Sequence, residues 1–180
     1  MIEKEVKAKI NGKPEIIVKK LHELGFKLSG IKHQVDVYYS HPCFNFKERD
    51  VALRLRYENG EAFLTYKGPR LSEQIKIREE IEAKTCEPDK IHEILKHLGF
   101  RILAVVRKER KEFAGQGDKK LKVLLDYIED LGYFLEIEGE NERQIYEIYN
   151  KLEKYGLRIV QKTYLEMILK KENEGYVKDL

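Results

Sequence analysis

The 180-residue sequence has few of the residues that mark several common protein classes. Its two cysteines, Cys43 and Cys86, lack CxxC spacing or any other pairing context, which argues against a structural zinc site or a disulfide framework and favours a reducing compartment. No apolar run approaches the roughly 20 residues that a membrane-spanning helix needs. With only four prolines and 42% hydrophobic residues, the composition is that of a folded chain.

Neither sign of charge dominates the sequence, because 35 basic and 32 acidic residues leave a net charge of only +3. This balance predicts no broad basic field for nucleic acid. The first residues, MIEKE, resemble neither a signal peptide nor a transit peptide. We therefore expect one cytoplasmic domain over residues 1–180, without nucleic-acid or membrane partners, as a monomer or homodimer. The charged segment 170–180 is expected to fray after a last helical turn.

A short helical unit occurs twice in the sequence, and a looser third copy spans residues 142–157. Residues 14–27 read PEIIVKKLHELGFK, and residues 88–101 read PDKIHEILKHLGFR. Each begins with proline and an acid, as the first turn of a helix prefers, and ends in Leu-Gly-Phe, where glycine can adopt a left-handed cap. A strand is predicted after each helix, over residues 31–39, 102–113 and 158–165.

Other segments alternate apolar and polar residues with period two, which is the pattern of β-strands. Asn59-Gly60 predicts a tight turn that joins two of these segments into a hairpin. The alternating segments are residues 2–10, 51–57, 62–67, 75–84, 121–127 and 133–139.

Charges of like sign gather on one face of several predicted strands, because alternate strand residues share a face. The pairs are Glu3 with Glu5, Glu136 with Glu138, Arg54 with Arg56, and Lys108 with Arg110. The solvated face of an open sheet is the alternative, but it predicts interleaved signs. Carboxylate pairs suit a hard divalent cation such as Mg²⁺, and cation pairs suit phosphate. A closed barrel that collects both would bind a metal–polyphosphate.

These residues resemble the CYTH superfamily, or triphosphate tunnel metalloenzymes, which includes class IV adenylyl cyclases and thiamine triphosphatases. Glu3-x-Glu5-x-Lys7 is similar to the ExExK motif of that family. Seven further blocks follow in family order, at residues 34–39, 52–56, 64–69, 78–82, 107–110, 125–138 and 162–164. The resemblance implies an α+β fold, namely an eight-stranded antiparallel β-barrel flanked by helices, with a charged tunnel inside.

The resemblance also implies roles for residues at matching positions. The ligands of Mg²⁺ or Mn²⁺ would be Glu3, Glu5, Asp126, Glu136 and Glu138. The catalytic cations would be Lys7, Arg56 and Arg110. The other cations that bind the triphosphate would be Lys9, Arg54, Lys67, Arg78, Lys108 and Lys162. Glu80 and Glu82 would either ligate metal or orient the tunnel arginines, and the second role is favoured.

The function implied by the resemblance is phosphoryl transfer on a triphosphate-containing small molecule. A class IV adenylyl cyclase would convert ATP to cyclic AMP and pyrophosphate. The alternative enzyme is an inorganic, thiamine or nucleoside triphosphatase, and a third possibility is a non-catalytic protein that binds polyphosphate or nucleotide. The sequence leaves these open, because it does not fix which phosphorus faces the nucleophile.

Overall fold

The computed structural model of the chain describes residues 2–72, 76–115 and 120–176, and from residue 173 on it describes the backbone alone. Within these residues the chain forms nine strands, four α-helices and one 3₁₀ turn. In chain order the elements are β1 (Ile2–Ile10), α1 (Pro14–Glu23), β2 (Lys27–Ser40), β3 (Ala52–Glu58), β4 (Glu61–Lys67), β5 (Lys76–Thr85), α2 (Pro88–His97), β6 (Arg101–Ala114), β7 (Lys122–Ile128), β8 (Gly132–Glu138), α3 (Glu142–Leu152), the 3₁₀ turn (Glu153–Tyr155), β9 (Leu157–Ile159) and α4 (Tyr164–Tyr176).

Eight of the strands close into the predicted antiparallel barrel. They lie in the order β5-β4-β3-β2-β6-β7-β8-β1, and β1 pairs with β5 to complete the ring. The closing register sets Glu3 opposite Arg78 and Glu5 opposite Lys76. The second half of β1 pairs with the short ninth strand, β9. The opening ExExK motif therefore lies on the strand that closes the barrel.

The outer face of the barrel supplies the main hydrophobic core. Apolar residues of β1, such as Val6 and Ala8, pack with Leu21 of α1 and with Ile145 and Leu152 of α3. Helix α2 covers another part of this face, over β2, β3 and β4. Because successive strand residues point to opposite faces, burial of the apolar side turns the charged side chains into the barrel. The predicted orientation of the strands is confirmed.

The repeated helix endings are also confirmed as glycine caps. Gly25 and Gly99 have φ angles of 86° and 93°. The amide of Phe26 donates to the carbonyl of Leu21 at 2.9 Å, and the amide of Phe100 makes the matching bond to Leu95 at 3.0 Å. These contacts turn each chain end back onto its helix and into the following strand, β2 or β6.

The strand predicted over residues 158–165 is wrong, because only Leu157–Ile159 is extended and α4 begins at Tyr164. The hydroxyl of Thr163 accepts from the Glu166 amide at 3.1 Å, and the Glu166 carboxylate accepts from the Thr163 amide at 2.6 Å. This reciprocal pair is a capping box, which starts a helix at Tyr164. The helix continues to Tyr176, residues 177–180 lie outside the described residues, and fraying of the tail stays a prediction.

Apolar side chains and α4 fill one end of the barrel. The inward residues Tyr38, Val106, Ile128 and Phe134 form a cluster with Tyr164, the first residue of α4. Further residues of α4, including Leu165 and Ile168, pack against this cluster. The charged part of the interior lies above this apolar floor. No helix among the described residues is long and apolar enough to cross a membrane.

Candidate active site

The barrel encloses a cavity of about 410 Å³ with mostly charged walls, and we call it the tunnel cavity. All eight barrel strands contribute side chains to it. The predicted site residues that line it are Glu3, Glu5, Lys7, Arg54, Arg56, Lys67, Arg78, Lys108, Arg110, Glu136 and Glu138. Strand alternation and the closure of the barrel thus bring together most of the residues predicted from the sequence.

Three predicted site residues lie outside the walls of the tunnel cavity. The ammonium of Lys9 donates to the carbonyl of Leu131 at 2.7 Å, at the apolar end of the barrel. Lys162 is exposed and lines a neighbouring cavity. Asp126 is fully buried and is held behind the side chain of Arg110. Their proposed contacts with substrate or metal stay predictions.

Three carboxylates meet at one side of the tunnel cavity, and we call Glu3, Glu5 and Glu138 the carboxylate cluster. One oxygen from each lies within 4.8 Å of the others, because Glu5 faces Glu138 across the β1–β8 pairing. Burial and the nearby Glu3 and Glu136 raise the pKa of Glu138 to about 8. Crowded carboxylates of this kind fit Mg²⁺ or Mn²⁺, since a hard cation relieves their repulsion and accepts oxygen ligands.

Glu136 lies apart from this cluster and is paired with cations. Its Oε1 lies 2.8 Å from the ammonium of Lys7, and Arg110 donates to its other oxygen. Although burial alone would raise its pKa, Lys7 and Arg110 hold the pKa of Glu136 well below its usual range. The carboxylate pair predicted on β8 is therefore divided between two environments.

Two arginines of the cavity wall are held in the same way by buried aspartates. Arg110 donates through Nε and Nη2 to Asp126, at 2.7 and 2.6 Å. Arg56 donates through the same two nitrogens to Asp36, at 2.6 and 2.8 Å. Neither aspartate lines the tunnel cavity, and both are at most 1% exposed. Each guanidinium is thereby fixed from behind while its side chain faces the cavity.

Lys108 lies between these two pairs. Its ammonium is 3.9 Å from Asp36 and 3.7 Å from Asp126. Burial, together with the neighbouring Arg110, lowers the pKa of Lys108 to about 7. Tyr164 also contacts one of these pairs, since its hydroxyl donates to Asp126 at 3.0 Å. The result is a row of three basic side chains on strands β3 and β6.

Strand β5 carries Glu80 and Glu82. Both contact basic side chains, as the favoured prediction requires. Glu80 lies 2.8 Å from the ammonium of Lys67 and 3.6 Å from a guanidinium nitrogen of Arg54. Glu82 accepts from Thr65 at 2.9 Å, and one of its oxygens is 3.8 Å from Arg54. These contacts support an orienting role for both glutamates.

Sequence reasoning assigned no role to Asp36, Lys76 or Tyr164, although Lys76 and Tyr164 line the tunnel cavity and Asp36 holds Arg56 from behind it. Lys76 is buried, with its ammonium 3.2 Å from Glu5. The signal for Lys76 and Asp36 was strand alternation, since each lies two residues from another inward side chain. The signal for Tyr164 was the capping box, which places it at the start of a helix over the barrel end.

The whole barrel matches a known family, since the CYTH domain family matches residues 1–170. The chain belongs to the CYTH domain family. A relative from Methanocaldococcus jannaschii, provisionally named an adenylate cyclase, is 37% identical over 176 residues, which cover 93% of this chain and 98% of that protein. A solved structure of a Pyrococcus horikoshii protein has 38% identity and a TM-score of 0.77, covering 94% of this chain and 99% of that one.

A more distant solved structure shows the same fold. It is a Hippeastrum protein provisionally named an adenylyl cyclase and described as having a dominant triphosphatase activity. Its identity to this chain is 18% and its TM-score is 0.71, over 90% of this chain and 92% of that one. The CYTH family generally depends on a divalent metal and binds triphosphates, and the carboxylate cluster is compatible with such a metal.

This CYTH domain has a second cavity, of about 1100 Å³, beside the tunnel cavity. Arg78 and Thr163 line both, so the two spaces adjoin at these residues. Side chains of the β2–β3 connection and of α4 form much of the second cavity, with apolar contributions from Phe46, Leu165 and Leu169. We call it the side cavity.

Proposed function

We propose that this CYTH domain is a divalent-metal-dependent enzyme that converts ATP to cyclic AMP and pyrophosphate, as class IV adenylyl cyclases do. The supporting observation is that the carboxylate cluster lines the same cavity as Arg56 and Arg110, the two arginines that are held by buried aspartates. A metal–polyphosphate needs both kinds of ligand within a few ångströms, and a solvated sheet face would not enclose them.

The basic side chains bind the phosphates from several directions in this proposal. Arg56 and Arg110 offer planar guanidinium groups that are already oriented by their aspartates, whereas Lys108, whose pKa is lowered to about 7, offers a compact charge between them in its protonated form. Because these groups are fixed before substrate binds, they stabilise developing phosphoryl charge without reorganising.

The carboxylate cluster, Glu3, Glu5 and Glu138, would hold Mg²⁺ or Mn²⁺, which supplies charge neutralisation at the phosphoryl oxygens. Lys67 and Lys76 contact two of these carboxylates, at 2.9 Å from Glu3 and 3.2 Å from Glu5. Glu3 and Glu5 would have less charge left for these lysines once they held a cation, so Lys76 would be available to phosphate, whereas Lys67 would keep its contact with Glu80 at 2.8 Å.

The side cavity favours an organic triphosphate over inorganic tripolyphosphate. It adjoins the tunnel cavity at Arg78, whose Nη2 has no hydrogen-bond partner within the described part of the chain. Phosphates in the tunnel cavity would leave the organic group near this junction, where apolar side chains such as Phe46 and Leu165 suit a ring system.

A triphosphatase is the second candidate, because the same tunnel cavity serves both reactions. In the cyclase the ribose 3′-hydroxyl attacks the α-phosphorus, whereas in the triphosphatase water attacks the terminal phosphorus. The activity described for the Hippeastrum protein supports this alternative. A non-catalytic binding protein is less consistent with a retained carboxylate cluster, since binding phosphate alone does not require it.

Product analysis tests these candidates directly. Wild-type protein and Arg56→Ala are incubated with ATP, tripolyphosphate or thiamine triphosphate, each with Mg²⁺ and with Mn²⁺. We expect cyclic AMP and pyrophosphate from ATP with the wild type and a large loss with the variant. Orthophosphate release without cyclic AMP would identify a triphosphatase, and binding without turnover of any substrate would identify a non-catalytic protein.

A further inference from the structure

Asp36 is an acidic residue placed among the cations of the tunnel wall. It lies on β2, is 1% exposed and gives both oxygens to Arg56. Its Oδ2 is also 3.5 Å from Arg54 and 3.9 Å from Lys108. Although burial alone would raise its pKa, Arg54 and Arg56 hold the pKa of Asp36 well below its usual range, so the side chain is an anion.

An anion at this position has to be explained, because it repels the phosphates that the surrounding cations attract. Asp36 is not one of the three clustered carboxylates, and it does not line the tunnel cavity. Its contacts are with Arg56, Arg54 and Lys108, so direct contact with substrate or metal does not account for it. What it does control is the orientation of a guanidinium group that lines the cavity.

We infer that Asp36 is a positioning residue, which fixes the guanidinium of Arg56 so that this group meets phosphate without losing further freedom. The inference rests on the proposed binding of a triphosphate in the tunnel cavity. A free arginine side chain loses rotational freedom when it binds phosphate, whereas a held one has already lost it on folding. Because a held Arg56 has less rotational freedom to lose, Asp36 favours phosphate binding in spite of its own repulsion, but only while Arg56 is present.

A double-mutant cycle tests this dependence, because a residue that acts through another loses its effect when the other is removed. Asp36→Asn and Arg56→Ala are made singly and together, and tripolyphosphate affinity is measured by calorimetry at fixed Mn²⁺. We expect Asp36→Asn to weaken binding by about threefold to tenfold when Arg56 is present. In the Arg56→Ala background the same change removes a repelling charge and only the longer contacts with Arg54 and Lys108, at 3.5 and 3.9 Å, so the weakening should disappear or reverse.

Several readouts separate this role from others. If Asp36→Asn changed tripolyphosphate affinity by the same factor and in the same direction with and without Arg56, the inference would be overturned. A structural or purely electrostatic role predicts that result. A large loss of Mn²⁺ affinity in Asp36→Asn would overturn it in favour of a metal ligand. Asp89→Asn, at an exposed position of α2, is the matched control and should change neither affinity.

A second variant covers the case in which Asp36→Asn does not fold, as judged by circular dichroism. Asp36→Glu keeps the charge but displaces the carboxylate, so it should weaken tripolyphosphate binding with Arg56 present and leave it unchanged in the Arg56→Ala background. Equal weakening in both would contradict the inference. A wild-type protein that binds tripolyphosphate but turns over no triphosphate refutes the proposed enzyme alone, and one that binds none refutes both.

Discussion

The ammonium of Lys7 lies 2.8 Å from the Oε1 of Glu136, across the pairing of β1 and β8. The lysine of the ExExK motif is thus neutralised by a residue that the sequence assigned to metal. Two residues further along β8, Glu138 instead faces Glu5 and joins the carboxylate cluster. The two glutamates of one strand should therefore respond differently to the same substitution.

Glu136→Gln should destabilise the metal-free protein, whereas Glu138→Gln should stabilise it. Removing the charge of Glu136 leaves Lys7 and Arg110 short of a buried partner, which costs about 3–5 kcal/mol. Removing the charge of Glu138 relieves repulsion within the cluster, by about 1–2 kcal/mol at pH 8. Urea unfolding of both variants and the wild type measures the difference. If the two substitutions destabilised the protein equally, the claim that Glu136 and Glu138 lie in different environments would be contradicted.

The contribution of Glu138 to the stability of the metal-free protein should fall as the pH rises from about 4.5 to about 8. In the folded state the pKa of Glu138 is raised to about 8 from an ordinary value of 4.5, so folding favours its protonated form. The stabilisation from this proton is complete below pH 4.5 and is lost as the pH passes the folded pKa. Thermal unfolding between pH 5 and pH 9 should show the wild type losing stability relative to Glu138→Gln up to about pH 8, and this comparison cancels the opposite contribution of Lys108, whose pKa is lowered to about 7. A wild-type profile parallel to that of the variant would argue against the raised pKa.

Arg56→Ala and Arg110→Ala should each reduce transition-state stabilisation by about 2–4 kcal/mol, as when a preorganised donor is lost. Lysine at either position should recover only part, because the planar fork is lost. Arg110→Ala should also destabilise the fold more, since it leaves both Asp126 and Glu136 short of a partner. Steady-state kinetics and unfolding curves give the two readouts.

Arg101→Ala is the control for these arginine variants, because Arg101 is exposed at the start of β6. It removes the same charge far from the tunnel cavity and should leave kcat/KM unchanged. If it were as damaging as Arg56→Ala, the loss would reflect overall charge, and the tunnel would not be needed to explain it.

Thr163→Ala should destabilise the protein by about 1 kcal/mol, because the first amides of α4 lose their capping hydroxyl. For a domain of this size that corresponds to a fall of about 2–4 °C in Tm. Thr163→Ser keeps the hydroxyl and should behave like the wild type. If Thr163→Ala and Thr163→Ser have the same Tm, the capping box does not start the helix.

The charged face of each strand could be predicted because it follows from local sequence, whereas the closed eight-stranded barrel was implied by the resemblance to the CYTH superfamily. Alternation within β1 puts Glu3, Glu5 and Lys7 on one face whatever the partner strands are. The closing of β1 against β5 could not be predicted in this way, since their pairing joins residues more than 70 positions apart. The partner of each charge also depends on strand register, since Lys7 meets Glu136 only through the pairing of β1 with β8.

The missed helix α4 has a different cause. The strand over residues 158–165 was predicted because a strand follows each helical unit of the repeat, and the Thr-x-x-Glu signal at residues 163–166 was not considered. Tyr164 was consequently expected on a strand, although it lies at the first turn of α4 over the apolar end of the barrel. The capping signal determines the structure here, because it satisfies amides that a helix start leaves unpaired.

The central claim is that one cavity holds a divalent cation at the carboxylate cluster and a polyphosphate between Arg56 and Arg110. A crystal structure with Mn²⁺ and tripolyphosphate, recorded with anomalous diffraction, tests it most directly. We expect a manganese peak bound by oxygens of Glu3, Glu5 and Glu138, with phosphate oxygens against Arg56 and Arg110. Manganese at surface carboxylates, or tripolyphosphate outside the barrel, would contradict the claim.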